Sequence, residues 1–243
     1  MLTASANGKG RSDSATIEDV ARFEGEDRFD AVQHMNEDFL RQDFGDGFPL
    51  MPATRGTVDD LLDGTNLSAD HVVCDMPPGF GIATVEKIAV NAALAGARPE
   101  HMPVIIGAVK ALSQMGNNGG KSLLMSTSPQ APLLVVNGPI TQELDVNPRS
   151  ALGPGYDNRA NIVIGRAFSL CLRNIGQWYP NKMDMDTIGT TRKFVHCIAE
   201  NEKMSPWAPF HVDKGFQSDD STVSVFVTNG ELDVQDQGNT TAE

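Results

Sequence analysis

Between residues 16 and 40 the apolar positions Ile17, Val20, Phe23, Val32, Met35 and Phe39 recur at roughly helical spacing, with a break at Gly25. The pattern predicts one or two amphipathic helices ahead of the core. DGFPLMPAT then reads as a proline-rich arm, followed by a short helix that Thr57 caps and Gly64 ends. An apolar run at 71–74 predicts a strand. Pro77, Pro78, Gly79 and Gly81 predict a tight loop before a helix over 83–95, which is apolar around most of its circumference.

A second apolar helix is predicted over 103–115, with Pro103 in its first turn and the Gly116–Gly120 run closing it. Residues 121–126 and 133–136 read as two buried strands. The longest helix is predicted over 159–175, and residues 194–199 and 222–227 read as strands from their β-branched and aromatic content. Helices and strands interleave, so the expected class is α/β: a mixed or mostly parallel sheet covered by helices, in a single domain over 16–229. Residues 1–15 and 230–243 carry too few large apolar side chains to offset their ordering entropy and are expected to be tails.

Charge narrows the partners. Of the 243 residues, 32 are Asp or Glu against 19 Lys or Arg, a formal charge of −13 that repels phosphate backbones and anionic lipid. Neither nucleic acid nor a membrane is an expected partner. No apolar run approaches the roughly 18–20 residues that cross a bilayer, and the first 15 residues lack the apolar core of a secretion signal, so the expected location is the cytoplasm. Cys74, Cys171 and Cys197 are three in number and widely spaced, which argues against a disulfide framework or a paired-thiol zinc site.

Within the otherwise apolar 83–95 helix, Glu86, Lys87 and Asn91 share one sector at about 100° per residue. The Gly-rich loop before it leaves the helix start open to an anionic group. Glu86 is there a candidate general base, Lys87 a clamp or proton donor, and Asn91 a substrate contact; the alternative is an ordinary solvated face. GFGIAT lacks the third glycine of the dinucleotide fingerprint, so no nicotinamide signature is present, nor a flavin one. Arg159, Arg166 and Arg173 recur every seven residues and form a basic stripe. Such a stripe either holds a substrate carboxylate, with Arg159 and Arg166 the better candidates, or pairs with the chain's own acidic residues.

KFVHCIAENE places Cys197 on a strand as a candidate nucleophile, with His196 on the opposite face by alternation. Glu200, Asn201 and Glu202 follow the strand end, where α/β proteins bind ligands, and a loop with Trp207 and His211 comes next. These five residues are candidate substrate contacts. Glu200, Glu202 and His211, joined by Asp184 or Asp186, are also donors of the kind a divalent metal takes, though their spacing matches no metal motif.

Taken in order, DGFPLMPAT, PPGFGIATVEKIAVNAALAGARPEHMPVI, APLLVVNGPI, NRANIVIGRA and CIAENEKMSPWAPFHVDKGF resemble a bacterial family of the UGSC type, over about residues 45–227. The resemblance implies a domain that some members join to a module bearing a selenocysteine or cysteine motif. This chain has Ala97 where the family often carries cysteine, and no Cys-Gly-Ser-Cys sequence. Two functions are therefore weighed. One is a small-molecule enzyme, of lyase or hydrolase type, acting by acid–base or thiol-assisted cleavage or addition at a carbon–heteroatom bond between Glu86 and Cys197. The other is a noncatalytic or half-site subunit that docks a partner carrying the reactive thiol or metal. A homo-oligomer or a hetero-oligomer is expected.

Overall fold

Asp27 starts the first helix: its carboxylate accepts hydrogen bonds from the backbone N–H groups of Phe29 and Asp30, and α1 runs from Arg28 to Arg41. The computed structural model describes residues 20–115, 120–149 and 152–232. The expected tail at 1–15, residues 233–243 of the other tail, and residues 116–119 of the Gly-rich closure lie outside the described residues.

α2 (Arg55–Leu62) is capped by Thr54 rather than Thr57, the Thr54 hydroxyl accepting from the Thr57 N–H at 3.2 Å. β1 (Val72–Met76) pairs antiparallel with β2 (Gly81–Thr84). Residues 81–84 therefore form a strand where the sequence predicts a loop running into a helix. The helix α3 (Val85–Leu94) begins after them, with the Thr84 hydroxyl capping the Lys87 N–H at 3.3 Å. α4 (Met102–Ser113) follows as expected.

Residues 121–126 correct the sequence reading. They form no strand but one helical turn, α5 (Lys121–Leu124), which Gly120 opens at φ +74° and which buries Leu124. Three apolar residues, Leu123 to Met125, suit either state, and the positive-φ turn before them decides for the helix.

The sheet is built from β3 (Ala131–Asn137), β4 (Cys197–Ala199) and β5 (Thr222–Thr228), in the order β4-β3-β5. Two short helices, α6 (Ile140–Glu143) and α8 (Phe210–Asp213), lie in its connections. β3 and β4 are parallel, joined through α7 (Arg159–Asn174), and β3 and β5 are antiparallel. The fold is thus α/β with a mixed sheet. β4 is shorter than the predicted 194–199 because Thr191–Lys193 forms a 3-10 turn just before it.

α4 and α7 pack on one face of the sheet. Gly107 lets α4 close on β5: a Cβ there would stand 2.9 Å from Val223 Cγ1. Gly165 does the same for α7, with His196 N and Cys197 Cβ within 3.0 and 3.3 Å of the missing methyl. Ile88, Ile105, Leu112, Leu134, Ile164 and Leu172 are fully buried at this junction. Each contributes roughly 1.5–3 kcal/mol relative to an exposed position. The opposite face is only partly covered, by Phe210 of α8 lying 5.6 Å from Phe226 of β5.

The arginine stripe holds the proline-rich arm. Arg166 donates from Nε and a terminal nitrogen to the two Asp46 carboxylate oxygens at 2.7 and 3.0 Å, and to the Pro49 carbonyl at 3.0 Å. Arg173 donates to the Gly45 carbonyl, and Asn174 accepts from the Gly45 N–H. Among the described residues no helix is long and apolar enough to cross a membrane.

Candidate functional site

Side chains alternate along β3 and β4. Leu134, Val136, Cys197 and Ala199 turn toward the helices and are buried. Leu133, Val135, Asn137, His196, Ile198 and Glu200 belong by the same alternation to the opposite face. At the C-terminal end of that face the chain gathers a polar cluster.

Asn137, with no solvent exposure, is its hub. Its amide nitrogen donates to Glu200 Oε2 at 2.5 Å and to Glu202 Oε1 at 2.9 Å. Glu202 Oε1 also accepts from the Gly138 N–H at 2.8 Å, and Glu200 Oε2 from the Phe210 N–H at 2.7 Å. One amide therefore ties two carboxylates to each other and to the start of α8. Glu200 Oε1 and Glu202 Oε2 make no hydrogen bond among the described residues.

Beside them His211 is 2% exposed, its Nδ1 3.6 Å from Glu202 Oε1. Neither of its ring nitrogens has a hydrogen-bond partner, and nor does Asn137 Oδ1. Buried polar atoms are rarely left without partners, because each costs about 1–3 kcal/mol. Three of them stand around the two carboxylates.

A cavity of about 900 Å³ opens nearby along β4, walled by Leu133, Ile198, Phe194, Val195 and Phe48. Its polar end holds His196, whose Nε2 lies 2.8 Å from Glu231 Oε1. Burial, the larger influence, pulls the His196 imidazole below its ordinary value, while the Glu231 charge opposes it.

The structure brings together Glu200, Glu202 and His211. Asn201 and Trp207 lie on the same loop: the Asn201 carbonyl accepts from the N–H groups of Met204 and Ser205, and Trp207 is 75% exposed. It does not bring Glu86 or Lys87 to Cys197, since α7 packs against α3 on one side and β4 on the other. Glu86 stands 3.9 Å from Arg55 at an exposed position, and Lys87 Nζ donates to the Ile82 carbonyl at 3.0 Å. Asn91 is not on a solvated face. It is buried, donating to the Lys87 carbonyl and accepting from the Asn174 amide at 2.7 Å, which locks α3 to α7.

Cys197 does not meet the needs of a nucleophile. It is buried against α7, and burial pushes its thiol up to about 12, so at neutral pH the thiolate is scarce. Arg159 is exposed at the start of α7, and Arg166 is committed to Asp46. Asp184 and Asp186 are held by Lys193, whose Nζ lies 2.6 and 2.9 Å from them, so they do not join Glu200. Among the described residues no three His, Cys, Asp or Glu side chains are grouped to hold a metal ion.

Asn137 escapes a reading by charge or motif. Its signal was a polar residue closing an apolar strand just before Gly138-Pro139. No family model, no curated protein and no solved structure matches the chain.

Proposed function

We propose that the protein is a small-molecule enzyme of lyase or hydrolase type, performing acid–base cleavage or addition at a carbon–heteroatom bond with Glu200 and Glu202. One observation carries the reading: a fully buried amide, Asn137, orients both carboxylates beside the unpartnered imidazole of His211. The cluster also stands past the C-terminal ends of the parallel strands β3 and β4, where α/β folds take ligands.

In this reading one carboxylate removes a proton from the substrate, and the other, when protonated, returns one to the departing heteroatom. The Asn137 N–H groups fix where the two oxygens lie, and His211 meets a polar group of the substrate. Trp207, Asn201 and the flanking loop form the rim. A wholly protein-based proton relay needs no nicotinamide or flavin. The order of the segments from DGFPLMPAT to CIAENEKMSPWAPF supports a UGSC-type domain.

The test compares wild type with Glu200→Gln and Glu202→Gln against a panel of small hydroxy, amino and acyl compounds, following mass changes. Glutamine keeps an acceptor oxygen for Asn137 and for the backbone donors, so folding is retained. Turnover falls at least about 100-fold in each variant. Equal turnover by all three proteins ends the proposal.

A half-site subunit is the second reading, favoured by Met204 and Trp207, both 75% exposed on the loop beside the cluster. A stoichiometric complex purified from the native host supports it, and turnover by the isolated chain excludes it.

A further inference from the structure

The cavity along β4 holds a feature that the acid–base cluster does not use. Glu231 places its two carboxylate oxygens on two different donors: Oε1 lies 2.8 Å from His196 Nε2, and Oε2 lies 3.2 Å from a terminal nitrogen of Arg192. The two receptors are fixed. Arg192 belongs to the 3-10 turn before β4 and also donates to the Asn229 carbonyl at 2.5 Å. His196 is pinned by its own carbonyl, which accepts from the Leu134 N–H at 2.9 Å in the sheet ladder. Their side chains are 22% and 12% exposed, whereas the Glu231 side chain is 62% exposed and lies beyond the end of β5. A built two-donor receptor thus grips an occupant that is itself loosely placed.

The receptor is also not saturated. Arg192 Nε and His196 Nδ1 are buried without a hydrogen-bond partner. All three residues line the same cavity, whose remaining walls include Leu133, Ile198, Phe194, Val195 and Leu152. We propose that this cavity is a binding site for a small molecule with a carboxylate and an apolar body, and that Glu231 occupies its acid-binding end in competition with that ligand.

The geometry sets the ligand class. Two N–H donors set to meet the two oxygens of one carboxylate fit a planar monocarboxylate, and hydrocarbon walls favour an apolar remainder. Glu231 is tethered, so it competes at an effective concentration that reaches the millimolar range for short flexible connections. Removing its charge leaves at most one neutral acceptor for the two donors and weakens its hold on both. The ligand's affinity then rises by about the factor that Glu231 had withheld.

The experiment is calorimetric titration of the full chain with sodium octanoate, and with 1-octanol as the uncharged control, in wild type and Glu231→Gln. The expected result is octanoate binding about tenfold or more tighter in Glu231→Gln, with octanol unchanged. Adding His196→Phe to Glu231→Gln removes that gain. Equal octanoate affinity in wild type and Glu231→Gln overturns the proposal, as does an equal gain for octanol, which would mean an apolar groove without an acid receptor. Binding is read directly, so the result stands apart from any turnover at Glu200 and Glu202.

Discussion

Arg166 grips Asp46 through two parallel hydrogen bonds, at 2.7 and 3.0 Å, with the aspartate side chain only 2% exposed and the arginine 15%. This pair fixes the proline-rich arm to α7 and so forms the wall of the cavity that Phe48 contributes. Removing one partner leaves the other charge buried and unpaired, which costs about 3–5 kcal/mol. Arg166→Met should therefore lower the urea midpoint sharply, and limited proteolysis should cut first near residues 43–50. A loss below about 1 kcal/mol would show that the arm is held by the Arg173 and Asn174 contacts instead.

Gly138 links the turn after β3 to the cluster. It sits at φ +82°, a Cβ there would overlap the Asp220 carbonyl oxygen, and its N–H donates to Glu202. Gly138→Ala meets both a conformational and a steric penalty, and should lose about 2 kcal/mol or more. Equilibrium unfolding reads the loss. A neutral substitution would mean that the 220–221 backbone yields freely.

Asn137 should prove non-additive with its carboxylates. Asn137→Leu strips Glu200 and Glu202 of a shared donor and should cost about 2 kcal/mol. Adding Glu200→Gln removes one of the two charges that the amide had held together, so the double variant should be more stable than the sum of the two single losses. A double-mutant cycle measures this coupling, and additivity within about 0.5 kcal/mol would show that the three side chains act independently.

How far the sequence carried depended on the range of the interaction involved. α4 and α7 were legible because their periodicity runs for 12 and 16 residues and every turn repeats the signal. Residues 121–126 were not, since a run of three apolar residues has no period, and the state was decided by the backbone of Gly120. Nor were residues 81–84, whose strand state depends on pairing with β1 across a turn that includes Phe80 at φ +59°. In the site, Glu200, Glu202 and His211 could be placed because they follow a strand end closely. Asn137 lies more than 60 residues before them, and only the parallel pairing of β3 with β4 brings it alongside. Cys197 and Glu86, which residue types alone had put together, are separated by α7, packed between α3 and β4.

The cysteines give a direct check on the loss of the thiol mechanism. Cys171 is fully buried and its thiol is pushed well above its ordinary value, as burial also does to Cys197 and, more weakly, to the half-buried Cys74. In the folded protein at pH 8, iodoacetamide should leave Cys171 and Cys197 unmodified over the time that labels all three in urea. Peptide mass mapping reads each site. Rapid labelling of Cys197 below pH 7 would restore it as a candidate nucleophile.

His101 sets a pH dependence of stability. It is buried, and its Nδ1 accepts a hydrogen bond from the Arg98 N–H at 3.1 Å, a role open only to the neutral ring. Burial lowers its pKa first, aided by the charges of Arg159 and Arg98 and opposed by Glu100. Above the unfolded value of about 6.5 the ring is neutral in both states, and its contribution to stability is fully present. As pH falls below that value the unfolded chain takes up the proton before the folded one does, so stability declines toward the lower folded value. The urea midpoint should therefore drop between pH 7 and 5.5, before most carboxylates titrate. His101→Asn supplies an acceptor that does not titrate, and it should flatten this slope whatever it does to the midpoint at pH 7. His196, also lowered chiefly by burial, adds a slope of the same sign, so the flattening is partial. His34, raised by its hydrogen bond to the Glu24 carbonyl and by Asp30, gives a slope of the opposite sign, and an unchanged slope in His101→Asn would place the pH dependence at His196, His34 and the acidic groups.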